Sequence, residues 1–255
     1  MEIDIETHFN KHFSIIECRS DATIRRCQSL RFTVLCDEHH YLSPKDYPEH
    51  YETDIFDPRS VHLLIQHKAS KVDVATVRLI LYDRENKDHP FPIEKYDILR
   101  RLKRDRQWKV KRQSIGEISR FSISKTFRRR AEEVEVIHGI TKEIFSHKEG
   151  GRRHIADITL GLFKAIIAAS EKQKLEYFYA LMEPSLMRLL ARFGIVFNSI
   201  GPIVNCYGLR QPCVSKIETI LLGLYYHKRE TWEFITENGK YYGIDYINRN
   251  AVEMA

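Results

Sequence analysis

Glu117-Ile-Ser-Arg-Phe121 is the stretch that decides the reading, because of the charges that stand before it. Upstream lie Tyr51-Glu-Thr-Asp54-Ile-Phe-Asp57 and Val74-Ala-Thr-Val-Arg78-Leu-Ile-Leu81, where one arginine interrupts an apolar run. Leu30-Arg31 leads into another apolar stretch. Arg31, Asp54, Asp57, Arg78, Glu117 and Arg120 are three acids and three bases, several of them inside segments that otherwise read as core. Burying such groups is costly unless they pair. A chain that keeps six of them is expected to use them.

The local patterns place these residues on elements. His12 to Cys18 reads as a strand, Ser20-Asp21 as the cap of a helix to about Asp37, and the Pro-containing stretch to about Arg59 as irregular surface chain. Val61–Ile65 and Val72–Tyr82 read as a strand pair, 92–112 as a helix followed by basic loop, and Ser114–Ser124 as a strand. A long connection over 125–153 is expected to hold a helical piece around 132–147 and to end at Gly150-Gly151. A helix over 154–172, a strand over 175–182 and a short helix opened by Pro184 and closed by Gly194 follow. Residues 195–200 and 204–209 read as a hairpin, and 216–237 as one last helix. This order says α/β, and the length makes a single domain over 1–255 the expectation.

Alternation puts Arg78 on one strand face with Val74, Thr76 and Ile80. Its guanidinium needs carboxylates, and Asp54 and Asp57 are the candidates. The plain alternative is a structural ion pair. Glu117 and Ser119 share a face of the later strand, while Arg120 should point away. Glu117 and Arg120 serve one site only if that strand is irregular, as a β-bulge would make it.

Bulk properties narrow the class. A chain of 255 residues, 43% hydrophobic and 30% charged, fits one soluble globular core. No apolar run approaches the ~20 residues of a membrane span. The acidic opening Met1-Glu-Ile-Asp-Ile-Glu is unlike a signal peptide, so a cytoplasmic location is expected. Five cysteines without a Cys-x-x-Cys pair suggest free thiols, and the 12 histidines lack ligand spacing, so no metal is expected.

The net charge of +6 is unevenly placed. Residues 100–112 hold eight bases and one acid, among them Arg100, Arg101, Lys103 and Arg104; Arg128, Arg129, Arg130, Arg152 and Arg153 add five more. They read as a solvated face or as a docking surface for an acidic partner. Nucleic acid is the weaker option, since only Trp108 interleaves with these bases.

The ordered set Arg31, Asp-x-x-Asp at 54 and 57, Arg78 and Glu-x-x-Arg at 117 and 120 resembles the acyl-homoserine-lactone synthase family, over roughly residues 20–215. It looks still more like that family's relatives, the N-acyl amino acid synthases and the exosortase (PEP-CTERM)-associated acyltransferases. The resemblance implies a GNAT-like acyltransferase fold, a mixed central sheet flanked by helices and splayed in a V at a bulge. It implies transfer of a fatty acyl group from a thioester to an amine, with no cofactor. Glu117 would be the general base, with Ser119 and Arg120 assisting at the oxyanion. Arg31, Asp54, Asp57 and Arg78 would hold the acceptor. The donor would be acyl carrier protein, docking on the basic stretches, or acyl-CoA, with the arm's phosphate near the start of the 154–172 helix. Phe121, Phe178 and Leu181 either line an acyl tunnel or are plain core.

Departures from the family bear on the acceptor, among them an insertion around 125–153 and a helical extension after 215, both long for that family. Tyr41 stands where lactone synthases usually carry Trp, Leu35 where they carry Phe, and Leu79-Ile-Leu-Tyr82 where they carry Leu-x-Pro-Thr. These favour an amino-acid-like amine over S-adenosylmethionine. Three readings follow: an N-acyl amino acid synthase-like enzyme, an authentic autoinducer synthase, and a non-catalytic carrier-protein or nucleic-acid binder on the same scaffold.

Overall fold

A computed structural model describes residues 4–96, 110–128, 150–243 and 246. Among the described residues, eight strands are hydrogen-bonded in the order β1-β2-β3-β4-β5-β8-β6, with β7 also on β8. They are β1 (Phe13–Cys18), β2 (Ser60–His67), β3 (Asp73–Ile80), β4 (Ile115–Ile123), β5 (Tyr177–Met182), β6 (Asn198–Ser199), β7 (Val204–Asn205) and β8 (Leu209–Lys216). The sheet is mixed: β1/β2 and β5/β8 are antiparallel, while β4/β5 are parallel. The helices are α1 (Ile5–His12), α2 (Asp21–Phe32), α3 (Lys125–Arg128), α4 (Gly150–Lys172), α5 (Pro184–Arg192), α6 (Ile217–His227) and α7 (Arg229–Thr236).

The chain forms two compact units. One contains Met1–Thr53, His62–Val77 and Arg120–Phe163; the other contains Asp54–Val61, Arg78–Ser119 and Lys164–Ala255. In the first unit, Ser20 and Thr23 form a reciprocal capping box at the start of α2. That helix continues into a π-helical turn, Thr33–Glu38. Its inner face packs Cys27, Leu30 and Val34 with Cys18 of β1 and Leu64 of β2.

In the second unit, Phe56, Ile80, Phe91, Ile93, Ile115, Tyr179 and Val214 form a buried cluster. Gly116 lets the opposite side of β4 close up. A Cβ there would lie 2.6 Å from Leu175 Cδ1 and 2.9 Å from Leu79 Cδ1. Parallel pairing of β4 with β5 runs from Ile115↔Tyr177 to Ile118↔Ala180. Beyond that pair, β4 continues to Ile123 and β5 to Met182.

Several sequence expectations need correction. An added helix, α1, precedes the first strand. The helix expected from residue 154 begins at Gly150, so both glycines lie in its first turn; first-turn N–H groups lack helical partners in any case. Of the helix and basic loop expected over 92–112, the described residues show a 3₁₀ turn over Pro92–Tyr96, and 97–109 lie outside them. The expected helical piece at 132–147 lies outside them.

The hairpin of 195–200 with 204–209 is replaced by β8, on which both β6 and β7 pair. Pro212, which cannot donate to a ladder, sits inside β8, and its carbonyl accepts from Ile200 N–H at 3.0 Å. The last helix is two, broken at Lys228 (φ −144°, ψ 57°). No Gly or Pro marks that break. Trp232, which is buried, packs edge-on against Tyr225 at 5.0 Å, so tertiary packing sets the bend.

Replacing Gly116 with Val should cost about 1–3 kcal/mol of stability, because two buried leucines must move to admit the side chain. Urea unfolding of the full chain measures this; unchanged stability would show that Leu79 and Leu175 repack freely.

Candidate active site

Arg78 enters the second unit near the end of β3 and is 1% exposed. Its fork is filled by two carboxylates: Nη1 donates to Asp54 Oδ1 at 2.6 Å and Asp57 Oδ1 at 2.5 Å, and Nη2 donates to Asp54 Oδ2 at 2.8 Å. Nη2 also reaches Ser119 Oγ at 3.4 Å. The segment bearing the two acids is shaped for this role. Asp54 Oδ1 accepts from Phe56 N–H at 2.9 Å, and Asp57 opens a 3₁₀ turn with Pro58 behind it. The sequence pattern therefore brings Asp54, Asp57, Arg78 and Ser119 together.

Glu117 lies in the same unit, 2% exposed. Its Oε2 accepts from Ile93 N–H at 3.0 Å. Burial pushes its pKa up to about 8; the Ile93 N–H, Arg78 and Arg59 pull it down, and Glu94 pushes it up. Nearby Cys213 is pushed up to about 12, first by burial and then by the Glu117 charge. Glu117 is thus a carboxyl that keeps its proton at neutral pH and releases it within reach of mild alkali.

The first unit holds a second charge set. Arg31 Nε lies 2.6 Å from Glu52 Oε2, and Arg120 donates to Glu52 Oε1 from Nε at 3.1 Å and Nη2 at 2.8 Å. Glu52 is fully buried. Sequence reasoning missed it, although it stands in the quoted 51–57 stretch. Arg31 is buried and requires a buried acid, and that requirement was the available signal. Arg120 has φ +54°, in the left-handed region, so β4 is locally irregular at that residue.

The other expectations divide as follows. Arg100, Arg101, Lys103, Arg104, Arg129 and Arg130 lie outside the described residues. Arg128 closes α3, and Arg152 and Arg153 sit in the first turn of α4, with their side chains outside the described set. Phe121 meets Phe163 at 6.3 Å, Phe178 is buried core, and Leu181 packs on the Ile80–Tyr179 cluster. Among the described residues, no group of three or more His, Cys, Asp and Glu could hold a metal ion. No helix among them is long and apolar enough to cross a membrane.

A family model described as an acetyltransferase (GNAT) domain matches residues 30–136. The fold is that of the GNAT acyltransferases. Solved structures carry the same likeness over most of the chain. The AHL synthase LasI matches with TM-score 0.52 and 14% identity, covering 80% of this chain and 88% of its own. The CoA-dependent acyl-homoserine lactone synthase BjaI, with MTA, gives 0.54 and 16%, covering 89% and 88%. FeeM, an N-acyl amino acid synthase from uncultured soil microbes, gives 0.52 and 8%, covering 82% and 93%. Comparison with curated proteins finds no match. These neighbours include lactone synthases and an N-acyl amino acid synthase, two of the three groups that the sequence resembles; at these identities they carry the fold, while the acetyltransferase-domain match supports an acyltransferase.

Converting Asp54 and Asp57 together to Asn should destabilise the protein by about 3–5 kcal/mol, because the Arg78 charge stays buried without a counter-charge. Thermal or urea unfolding is the measurement. A loss below about 1 kcal/mol would mean that Arg78 finds water in the variant.

Proposed function

We propose that the protein is an N-acyltransferase that moves a fatty acyl group from a carrier thioester to the amine of an amino-acid-like acceptor. The observation that carries this reading is Glu117, a fully buried carboxyl with a pKa near 8, in the unit that also holds the Arg78 cluster. A base of that strength is matched to an ammonium group, since proton transfer is most efficient between groups of similar pKa. Glu117 takes the acceptor's proton, directly or through one water. The amine nitrogen then attacks the thioester carbonyl carbon, the C–S bond breaks, and the sulfur leaves as the carrier's thiol with one proton. Ser119, in the same unit as Glu117, steadies the oxyanion.

In this reading, Arg78, Asp54 and Asp57 order the acceptor side, and Arg31, Glu52 and Arg120 order the chain before and after it. The donor is acyl carrier protein, whose acidity suits the basic stretches at 100–112 and 128–130. The acyl group arrives as substrate, so no cofactor is required. Five free cysteines fit a reducing, cytoplasmic setting. The lactone-synthase reading has equal structural support, because LasI and BjaI resemble this chain about as closely as FeeM does.

Glu117→Gln should lower turnover by about 10²–10⁴-fold. In the wild type, kcat should rise through pH 8, because only deprotonated Glu117 can act. Stability should move the opposite way. A carboxyl whose pKa is raised on folding costs nothing below its unfolded pKa of about 4.5; the penalty grows up to about pH 8 and then levels off. The Gln variant should therefore gain more in Tm at pH 8 than at pH 5. Near-wild-type turnover with no pH limb would make Glu117 structural.

Product mass separates the acceptors. Purified enzyme, with acyl carrier protein or acyl-CoA as donor, is given either a mixture of amino acids or S-adenosylmethionine, and products are read by mass spectrometry. The expected product is an N-acyl amino acid formed faster from the carrier. A lactone mass would establish the autoinducer reading instead, and equal use of acyl-CoA would remove the carrier from the proposal.

A further inference from the structure

Among the described residues, the carboxyl of Glu117 accepts from one backbone N–H, that of Ile93, and that N–H is itself held in place. Ile93 belongs to the 3₁₀ turn Pro92–Tyr96. Glu94, the next residue, uses both oxygens: Oε2 accepts from Phe91 N–H at 2.8 Å, closing the turn on itself. Arg112 then grips Glu94 with its fork, Nη1 to Oε1 at 2.5 Å and Nη2 to Oε2 at 2.9 Å. Arg112 lies five residues before Glu117 on the lead into β4, and its guanidinium sits 5.7 Å over the Phe91 ring. The turn that meets Glu117 is therefore tied to Glu117's own strand by a bidentate ion pair.

We propose that Arg112 and Glu94 are positioning residues for Glu117: their ion pair fixes the Pro92–Tyr96 turn so that Ile93 N–H stays on the carboxyl. This rests on the acyltransferase reading for its consequence in catalysis, and on geometry alone for its effect on Glu117. Sequence reading placed Arg112 in a docking stretch; here its fork is spent inside the protein.

The groups facing Glu117 set the sign of the effect. They are Arg78 from β3, Arg59 from the segment before β2, Glu94 and Tyr96 from the turn, and Cys213 from β8. Arg59 holds the far side of the loop, donating to Leu81 O at 3.0 Å and Pro90 O at 2.6 Å, so losing Arg112 frees Glu94 and the His89 carbonyl, which Arg112 Nη2 reaches at 3.5 Å, while the Arg59 contacts stay. A hydrogen bond to the charged form lowers a carboxyl pKa, so releasing Ile93 N–H raises it. Freeing the Glu94 charge beside Glu117 raises it further.

The test titrates Glu117 in the full chain by its carboxylic-acid C=O infrared band, assigned by the band's loss in Glu117→Gln. Arg112→Gln should move the midpoint up by about one pH unit, and the acid limb of the rate profile should move with it. Arg112→Lys keeps the charge and loses the fork. It should show at least half of that shift, and it carries the test alone if the Gln variant does not fold. An unchanged midpoint in both variants overturns the proposal, and so does full recovery in the lysine variant, which would leave Arg112 a role through charge only. Activity retained in Glu117→Gln would defeat the acyltransferase reading of Glu117 while leaving the titration to decide this one.

Discussion

An arginine cannot shed its charge, so a strand that buries Arg78 to 1% exposure obliges the chain to deliver carboxylates to it. Asp54 and Asp57 come from an irregular segment whose Phe56 is buried in the apolar cluster. The ion pairs add to that anchoring, and an Asx turn and a 3₁₀ turn shape the chain beside them. Glu52 performs the same service for Arg31 and Arg120. In each unit, a buried base sets the course of a loop.

Glu117 is the opposite case. It is buried as deeply, yet burial outweighs the Ile93 N–H and the Arg78 and Arg59 charges, so it keeps its proton at neutral pH. Asp54 and Asp57 meet a guanidinium directly. Carboxyls placed in such different surroundings within one compact unit can do different work: one kind orders, the other exchanges a proton. The apolar cluster around Phe91, Ile93, Ile115 and Tyr179 provides the low-dielectric wall that makes the difference.

Aromatic and cationic contacts extend this ordering outward. Arg59 lies over Phe56 and Phe91 at 5.2 and 5.4 Å, and Arg112 covers Phe91 from another direction. The 81–96 chain is thereby held by side chains from two sequence-distant segments, and its own hydrogen bonds add local turns such as Asp83–His89 and the long-range bond from Ile93 to Glu117.

The sequence by itself determined the strands and helices whose periodicity is regular, namely β1 to β5, α2 and α5, and the pairing of Arg78 with Asp54 and Asp57. An arginine alone in an apolar strand has few ways to be satisfied, so its partners can be named from spacing. The partners of Arg31 and Arg120 were decided only by the tertiary structure, because Glu52 carries no local pattern that separates it from a surface acid. The left-handed backbone at Arg120 was also hidden, since a non-glycine residue gives no signal of a positive φ. So were the break at Lys228 and the strand through Pro212, where packing of Trp232 and pairing with β5 override local preference. The turn that meets Glu117 belongs with these: its hydrogen bond joins residues 24 apart, and no local rule carries that far.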